Sequence, residues 1–205
     1  MASEKLMLVD GNSILNRAFY GLQGSQLLST SEGLYTNAVF GFINILYKYI
    51  EEENPGYLCV AFDSKAPTFR HTEYKEYKAK RKGMPEELAV QVPVMKEVLD
   101  AMNIKRFELQ GYEADDIIGS ISLCGEEKKL EVVIVTGDRD SLQLVGEKTR
   151  VKLPTTRKGR TETLEYDYEK IADEYGISPV QFIDVKGLMG DPSDNIPGVR
   201  GIGEK

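Results

Sequence analysis

Short apolar runs alternate with amphipathic segments along most of the chain. Four runs, at 6–10, 57–63, 104–109 and 132–138, have the length and continuity of strands buried in a parallel sheet. Between and after them, apolar residues recur at helical spacing, which predicts helices at 14–22, 36–52, 86–102, 113–124, 167–175 and 179–189. Pro93 is expected to interrupt the third of these helices. The alternation predicts an α/β fold in which a mostly parallel sheet is flanked by helices.

Three stretches fall outside this alternation. Residues 23–33 are polar and rich in glycine, which predicts a loop. Residues 149–165 have the pattern of a twisted hairpin, and its basic tip at 157–160 is expected to be solvated. The tail from residue 190 is rich in turn-forming residues.

An acidic motif, GYEADD at 111–116, leads into one of the predicted helices. Glu113, Asp115 and Asp116 repel one another, and a helix N-terminus reduces that repulsion because its free N–H groups and dipole favour negative charge. Helical spacing predicts Glu113 and Asp116 on one face and Asp115 on another, unless the first turn is irregular. Taken alone, the motif is equally well interpreted as a solvated helix start with a capping role.

Aspartates also stand at the ends of three apolar runs: Asp10, Asp63 and Asp138, with Asp140 two residues later. Ligands of open α/β sheets bind at the carboxyl ends of the strands, so these acids and the 111–116 motif are expected to meet at one edge. A single strand-end aspartate is commonly a turn or cap residue, but four such segments are less easily explained in that way. Divalent cations would relieve the repulsion, and ligation by oxygen alone indicates Mg²⁺ or Mn²⁺.

The tail adds Asp191 and Asp194, which follow the last predicted helix. On their own they are interpretable as turn residues. The glycines of GVRGIG at 198–203 would let backbone N–H groups approach a phosphate, with Arg200 and Lys205 alongside. This glycine pattern is a weak signal by itself.

The net charge of −7 does not favour a polyanionic partner, but the distribution of the charge does. Between Lys65 and Lys82 there are seven cations and two acids, so this segment carries +5 and the rest of the chain −12. We call residues 65–82 the basic strip. An acidic body with one compact basic strip suits a metal-dependent enzyme that acts on a polyanion. The alternative is a solvated, lysine-rich loop.

Composition narrows the chemistry. The single histidine, His71, offers little for a histidine metal site or a serine–histidine triad. Cys59 and Cys124 lie in apolar sequence and are expected to be reduced, buried thiols of a cytoplasmic protein. No apolar run approaches the roughly 20 residues needed to cross a bilayer, and no signal peptide is expected. With one histidine available, the chemistry is expected to depend on carboxylates, lysines and arginines. Because no run is long and apolar enough, no membrane partner is expected.

Five motifs, taken together and in this order, resemble the 5′-nuclease domains of bacterial DNA polymerases I: LMLVDGN, VAFDSKAPTFR, GYEADD, VTGDRD and GDPSDNIPGVRGIGEK. The resemblance covers essentially the whole chain, and those domains belong to the flap endonuclease and 5′–3′ exonuclease superfamily. It implies a PIN-like (Rossmann-like) catalytic domain at 1–175 with a helical arch at about 65–90. Residues 176–205 would begin a helix-hairpin-helix DNA-binding element that is truncated before its second helix. The implied activity is two-metal hydrolysis of DNA at 5′ ends and flaps, by a monomer whose parent protein also carries a polymerase domain.

The resemblance also implies roles for individual residues. Nine would ligate two Mg²⁺ or Mn²⁺ ions: Asp10, Asp63, Glu113, Asp115, Asp116, Asp138, Asp140, Asp191 and Asp194. Lys78 and Arg81, one turn apart if helical, would bind the scissile phosphate and act catalytically with Asp115 and Asp116. DNA contacts are expected from Arg17, Arg70, Tyr77, Lys78, Arg81, Gly198, Arg200, Gly201 and Gly203, with a K⁺ ion at the helix-hairpin-helix. Tyr77 and Phe69 are expected to stack on bases, whereas Asn16 stands where the family often has a stacking aromatic residue.

Other functions stay open at this point. A Mg²⁺-dependent phosphatase of small molecules would also use strand-end aspartates, but it leaves the basic strip unexplained. A non-catalytic DNA binder with a decayed site conflicts with the acids present at every expected position. A PIN-type RNase is a nearer alternative, and the sequence has no identifiable reader of the 2′-hydroxyl group.

Overall fold

The computed structural model describes residues 4–22, 28–157 and 160–203, with the backbone alone at 156, 157, 160 and 161. The strands are Lys5–Asp10 (β1), Tyr57–Ala61 (β2), Lys105–Phe107 (β3), Glu131–Val135 (β4), Thr149–Arg157 (β5), Arg160–Tyr166 (β6), Gly190–Asp191 (β7) and Ile196–Pro197 (β8). The α-helices are Gly11–Gly21 (α1), Asn37–Glu53 (α2), Phe69–Glu73 (α3), Glu86–Ala89 (α4), Gln91–Ala101 (α5), Ala114–Glu127 (α6), Tyr168–Tyr175 (α7) and Phe182–Met189 (α8). Two 3₁₀ helices occupy Arg139–Leu144 and Pro179–Gln181.

Six strands form one sheet in the order β3-β2-β1-β4-β5-β6. The first five are parallel, and β6 returns antiparallel to β5 as the predicted hairpin. The strand order reverses between β1 and β4, and the loops that leave these two strands diverge there. The predicted α/β architecture is confirmed, and its switch point lies where the first and fourth apolar runs end.

Both faces of the sheet are covered, because alternate residues of a strand point to opposite sides. Met7 and Val9 of β1 pack with α1, α2 and α5, whereas Leu6 and Leu8 pack with α6 and the outer strands. Burial on both faces explains why the strand sequences are continuously apolar. Gly41 permits the close crossing of α1 and α2, because a Cβ atom there would lie 2.9 Å from that of Ala18.

Some predicted boundaries were wrong. Residues 86–102 form two helices, α4 and α5, and Pro93 lies in the first turn of α5, where its missing N–H is not needed. The third strand is shorter than predicted and has exposed side chains, because β3 is an edge strand. Residues 179–189 divide into a 3₁₀ turn and α8.

The predicted helical arch is mostly not helical. Only α3 is regular within the basic strip, and residues 75–80 form consecutive turns. Lys78 has a φ of 56°, a left-handed conformation that is incompatible with a continuing α-helix. Lys78 and Arg81 are nevertheless brought together by a turn, since the Arg81 N–H donates to the Lys78 carbonyl over 3.0 Å.

The two cysteines differ from each other. Both are free thiols; Cys59 is buried, as expected, and burial raises its pKa to about 12. Cys124 is exposed on α6, contrary to the prediction, because an apolar neighbourhood in sequence does not fix which face of a helix is covered. Among the described residues, no helix is long and apolar enough to cross a membrane.

Candidate active site

A cleft of about 650 Å³ opens at the carboxyl end of the sheet, beside the switch point between β1 and β4. Side chains from five separate segments contribute its acidic lining: Asp10, Asp63, Glu113, Asp115, Asp138, Asp140, Asp191 and Asp194. Basic side chains line the same cleft: Arg70, Lys78, Arg81, Lys82 and Lys186. Eight of the nine predicted metal ligands therefore meet in one place.

Asp10 lies deepest in this lining and is 5% exposed. It is the N-cap of α1: one carboxylate oxygen accepts from the Ser13 N–H over 2.9 Å and the other from the Thr136 hydroxyl over 2.9 Å. The pKa of Asp10 is raised to about 6: burial is the main cause, the charges of Asp63 and Asp138 contribute, and the two hydrogen bonds oppose the rise. Asp10 is therefore both a helix cap and a buried carboxylate whose ionised form is unfavourable, and a bound cation would stabilise that form.

Asp63, two residues beyond β2, bonds to the first turns of two neighbouring helices. Its carboxylate accepts from the Ala114 N–H at the start of α6 over 2.8 Å. Its own N–H donates to the Asn12 side-chain carbonyl in the first turn of α1 over 3.2 Å. The end of β2 is thus fixed both to the acidic motif and to the start of α1.

The acidic motif forms the N-terminus of α6, with Glu113 as the N-cap and Asp116 completing a capping box. Asp116 accepts from the Glu113 N–H over 2.9 Å and is turned towards Arg70, outside the cleft lining. Asp115 instead points into the cleft, so it and Asp116 face different sides, as helical spacing predicts. Helical spacing alone could not say which of these two faces the sheet edge would meet.

Asp115 is the most perturbed carboxylate of the cleft. Its pKa is raised to about 8, mainly by burial and also by the negative charges of Asp10, Asp138, Asp63 and Glu113. Its Oδ1 atom is buried and has no hydrogen-bond partner within the described part of the chain. A buried, unpaired carboxylate oxygen among other carboxylates fits a divalent cation better than any neutral ligand.

Asp138 and Asp140 follow β4 and begin a 3₁₀ helix. Asp138 caps it by accepting from the Asp140 N–H over 2.9 Å. Asp140 pairs with Lys186 of α8 at 2.8 Å, and Lys186 also reaches Asp191 at 3.0 Å. Burial raises the pKa of Asp140 despite that lysine, and the charges of Asp138 and Asp191 contribute to the rise.

The basic strip is held against the acids. Arg70 donates two hydrogen bonds of 2.8 Å to Asp116, which raises the pKa of Arg70. Lys78 donates to Glu113 over 2.7 Å, and Arg81 pairs with Asp194. The three cations that were predicted to bind phosphates thus form ion pairs with protein carboxylates in this structure.

The turn at Asp191–Asn195 completes the rim. Burial alone would raise the pKa of Asp191, but hydrogen bonds from Ser193 and Lys186 outweigh it and lower the pKa to about 2. The Lys78 N–H donates to the Asp194 carbonyl over 2.8 Å, and the Asn195 side chain donates to the Glu76 carbonyl over 2.8 Å. The basic strip and this turn are therefore hydrogen-bonded to each other at the edge of the cleft.

Among the described residues, the predicted metal ligands do not form a ready-made ion site. Within the described part of the chain, no group of three or more acidic, histidine or cysteine side chains is arranged to hold an ion as it stands. Glu113, Asp140 and Asp194 are each turned to a lysine or arginine. The donor set still fits a hard cation, because it consists of carboxylate oxygens, of which one is buried and unpaired.

The residues predicted to contact DNA differ in their exposure and in whether they line the cleft. Tyr77 is 6% exposed, packs edge-on against His71 and donates to Glu113, so its ring is not available to stack on a base as it stands. Arg17 neighbours Tyr49 and is not among the described cleft residues. Phe69 is 42% exposed, which suits its predicted role better.

The predicted glycines of the tail have structural roles. A Cβ atom at Gly198 would lie 2.0 Å from the Met189 carbonyl, and Gly201 has a φ of 89°, so both positions require glycine for the turn itself. Arg200 and Gly203 are exposed beside them, outside the described cleft lining. Lys205 and the hairpin tip at 157–160, apart from the backbone of 157 and 160, lie outside the described residues.

Four residues in or beside the cleft escaped the sequence reasoning: Asn12, Ser13 and Lys186 line it, and Thr136 is buried next to Asp10. Asn12 and Ser13 directly precede a predicted helix and Thr136 lies within a predicted strand, and none of the three was predicted to take part in the site. Lys186 is a cation five residues before Asp191, on a predicted helix, which was a detectable signal. The other three are uncharged, and their importance depends on partners distant in sequence.

Comparisons with known proteins agree with this geometry. A family model described as the 5′–3′ exonuclease N-terminal, resolvase-like domain matches residues 5–176, and one described as the 5′–3′ exonuclease C-terminal SAM fold matches 177–205. The chain is 51% identical over 202 residues to DNA polymerase I of Bacillus subtilis and 49% identical over 201 residues to that of Caldicellulosiruptor bescii. Each match covers 98% of this chain, but only 22% and 23% of the relative, so the chain spans less than a quarter of their length.

Solved structures share the fold at lower identity. A T5 5′-exonuclease with bound zinc ions superposes with a TM-score of 0.74 at 24% identity, covering 97% of this chain and 71% of that one. The catalytic core of Rad2 in complex with a DNA substrate superposes with a TM-score of 0.58 at 19% identity, covering 98% and 59%. The order of the motifs, the acidic cleft at the switch point and the family match over most of the chain lead to one conclusion: the chain belongs to the 5′–3′ exonuclease family.

Proposed function

We propose that this chain is a metal-dependent 5′ nuclease that hydrolyses DNA phosphodiester bonds at 5′ ends and at flaps. The observation that carries the proposal is the buried, unpaired Oδ1 atom of Asp115 within a cleft of eight carboxylates. Membership of the exonuclease family supports the reaction class. The related T5 5′-exonuclease binds divalent metal ions, and the Rad2 core binds DNA, which supports the cofactor and the substrate.

The cleft residues divide naturally between two ions. Asp10, Asp63, Glu113 and Asp115 would hold one, and Asp138, Asp140, Asp191 and Asp194 the other, with Asp115 near both groups. Asp116 would act through its capping bond and its pair with Arg70. When bound, Mg²⁺ or Mn²⁺ ions would supply an activated water and stabilise the leaving oxygen.

The basic strip supplies the remaining chemistry. Arg70, Lys78 and Arg81 hold carboxylates in this structure, and a phosphate presents the same kind of oxygen anion to them. On substrate binding, the DNA backbone would replace the protein carboxylates on these side chains, and the released carboxylates would become free to ligate ions. Lys78 and Arg81 then stabilise negative charge on the scissile phosphate.

The setting of the activity is also part of the proposal. Because the relatives are DNA polymerases I of which this chain spans 22–23%, the chain would act as the nuclease part of a longer polymerase. Residues 176–205 would contribute to a duplex-binding element that holds K⁺. We expect a monomeric nuclease unit that works in the cytoplasm.

End-labelled DNA tests the proposal. A 5′-flap duplex, a nicked duplex and a single strand would be incubated with Mg²⁺, with Mn²⁺ and with a chelator. We expect cleavage near the 5′ junction with either ion and none with the chelator. Absence of cleavage on all three DNAs would overturn the proposal.

Two further arms separate the alternatives. An RNA flap of the same sequence distinguishes a PIN-type RNase, which would cleave it in preference to DNA. A small phosphate ester distinguishes a phosphatase. A phosphatase would release phosphate from the ester, because it does not need the basic strip to bind so small a substrate. Asp115→Asn provides the matched inactive control, because it changes one buried carboxylate oxygen to an amide and leaves the size of the side chain unchanged.

A further inference from the structure

We infer that Thr136 is a positioning residue that couples the two halves of the proposed metal site across the β1–β4 switch point. This inference rests on the proposed function. Thr136 immediately follows β4 and is completely buried. Its side chain is polar, although the same position could hold a valine of nearly the same shape without changing the apolar pattern of the strand.

The direction of its hydrogen bonds is fixed by chemistry. The Thr136 Oγ1 atom accepts from the Asp138 N–H over 3.0 Å, and its hydroxyl donates to Asp10 Oδ2 over 2.9 Å. A carboxylate can only accept and an N–H can only donate, so the hydroxyl proton must point to Asp10. The result is a polarised chain from the Asp138 backbone through Thr136 to the Asp10 carboxylate.

A second hydroxyl closes the same junction. Ser13 Oγ accepts from the Gly137 N–H over 2.9 Å, while the Ser13 N–H donates to Asp10 Oδ1. We call Ser13 and Thr136 the hydroxyl clasp. Ser13 lies in the first turn of α1, directly after β1, and Thr136 directly follows β4. Ser13 bonds to Gly137 after β4, and Thr136 bonds to Asp10 at the end of β1.

The clasp matters because of the carboxylates that it positions. Asp10 and Asp138 belong to segments of different strands, and the negative charge of Asp138 raises the pKa of Asp10. The clasp holds them together before any ion is present, and outer partners of metal ligands typically change metal affinity about 10- to 100-fold when removed.

Direct Mn²⁺ binding tests this inference. Electron paramagnetic resonance of Mn²⁺ titrated into the protein reports affinity without any turnover, and flap cleavage against Mg²⁺ concentration is measured in parallel. We expect Thr136→Val to weaken Mn²⁺ binding about 10-fold or more and to raise the Mg²⁺ requirement by a similar factor. Thr136→Ser, which keeps the hydroxyl, should bind within about 3-fold of wild type.

Thr149→Val is the matched control. Thr149 is also a buried threonine of the same sheet, at the start of β5, and its hydroxyl bonds to Glu126 over 2.6 Å, away from the cleft lining. It should lower the melting temperature by an amount comparable to Thr136→Val and leave Mn²⁺ affinity unchanged. If Thr136→Val does not fold, Ser13→Ala opens the other half of the clasp and should show a smaller loss of Mn²⁺ affinity.

The outcomes separate the two proposals. Wild type that binds Mn²⁺ and cleaves DNA, with Thr136→Val at wild-type affinity, overturns the positioning role and leaves the nuclease intact. Equal losses in Thr136→Val and Thr136→Ser also overturn it, since the hydroxyl would not be the cause. Wild type that neither binds Mn²⁺ nor cleaves DNA overturns the nuclease proposal and the inference with it.

Discussion

Lys78 donates a hydrogen bond of 2.7 Å to Glu113, the N-cap of α6. The same carboxylate also accepts from the Tyr77 hydroxyl over 2.9 Å, so two consecutive residues of the basic strip share one acid. The pairing brings the strip to the acidic motif although 35 positions separate Lys78 from Glu113 in the chain. It also leaves Lys78 at the edge of the cleft, where a phosphate can compete for it.

The first prediction concerns Lys78. Lys78→Ala should lower the rate of flap cleavage about 100-fold and change the DNA dissociation constant much less, because the charge acts mainly on the scissile phosphate. Single-turnover cleavage and equilibrium binding measure the two effects separately. Lys80→Ala, an exposed lysine two positions away, serves as the control and should cleave at a nearly normal rate. Equal losses of rate and affinity would make Lys78 only a docking residue.

The second prediction concerns Asp115. The pKa of this acid is raised to about 8 from 3.8, so the folded protein binds a proton that the unfolded chain releases. The stability of the metal-free protein should therefore fall as the pH rises from about 5 to 8. Asp115→Asn removes this cost and should stabilise the metal-free protein at pH 7 by about 2–4 kcal/mol, while abolishing cleavage. Urea unfolding of wild type and Asp115→Asn in chelator across this pH range gives the free energy of unfolding of each. If the two plots of that free energy against pH are parallel, the prediction is contradicted.

The third prediction concerns the salt dependence of DNA binding. Asp115→Asn allows binding to be measured without cleavage, and its affinity should fall steeply with salt because counterions are released from DNA. Adding Arg81→Ala should reduce the slope of log affinity against log salt by about one. Adding Lys105→Ala, on the edge strand β3 away from the cleft, should leave the slope unchanged. A flat response would exclude the basic strip as the contact surface.

The fourth prediction concerns the turn that holds the strip. Asn195 has a φ of 59°, and its side chain donates to the Glu76 carbonyl over 2.8 Å. Asn195→Gly keeps the backbone conformation and removes this bond, so the strip should open about fivefold more often. Limited trypsin digestion reads this opening as faster cleavage within 75–82. Asn103→Gly, at a φ of 57° on the far side of α5, is the control and should not change the rate within the strip.

The sheet was predictable because its signal is local. Continuous apolar runs such as 132–138 indicate a strand buried on both faces without any knowledge of its partners. Edge strand β3 was overextended because Leu109 continues the apolar alternation, whereas the strand ends at Phe107 and Leu109 is exposed. The helical segment 86–102 is interrupted as predicted, but at Val90 rather than at Pro93, because a proline is tolerated in the first turn of a new helix.

The acids of the site were predictable, but their orientation was not. Every strand-end aspartate reached the cleft as expected, since parallel strands deliver their carboxyl ends to one edge. Both Asp115 and Asp116 were predicted as metal ligands, but only Asp115 faces the cleft, because the direction of a residue in the first turn depends on how α6 docks against β1 and β4. Tyr77 is buried because the strip folds back on α6, which no periodicity predicts.

The parallel α/β sheet, the family and the identity of the acids and cations could be read from the chain alone, because they depend on residue type, motif order and short-range spacing. The folded structure was needed to show that Lys78, Arg70 and Arg81 bind protein carboxylates, that Asp115 carries the unpaired oxygen, and that Ser13 and Thr136 link the segments that follow β1 and β4. Such pairings depend on which side chains meet after the chain has packed. Their electrostatic and hydrogen-bond energies arise between residues that are tens to more than a hundred positions apart.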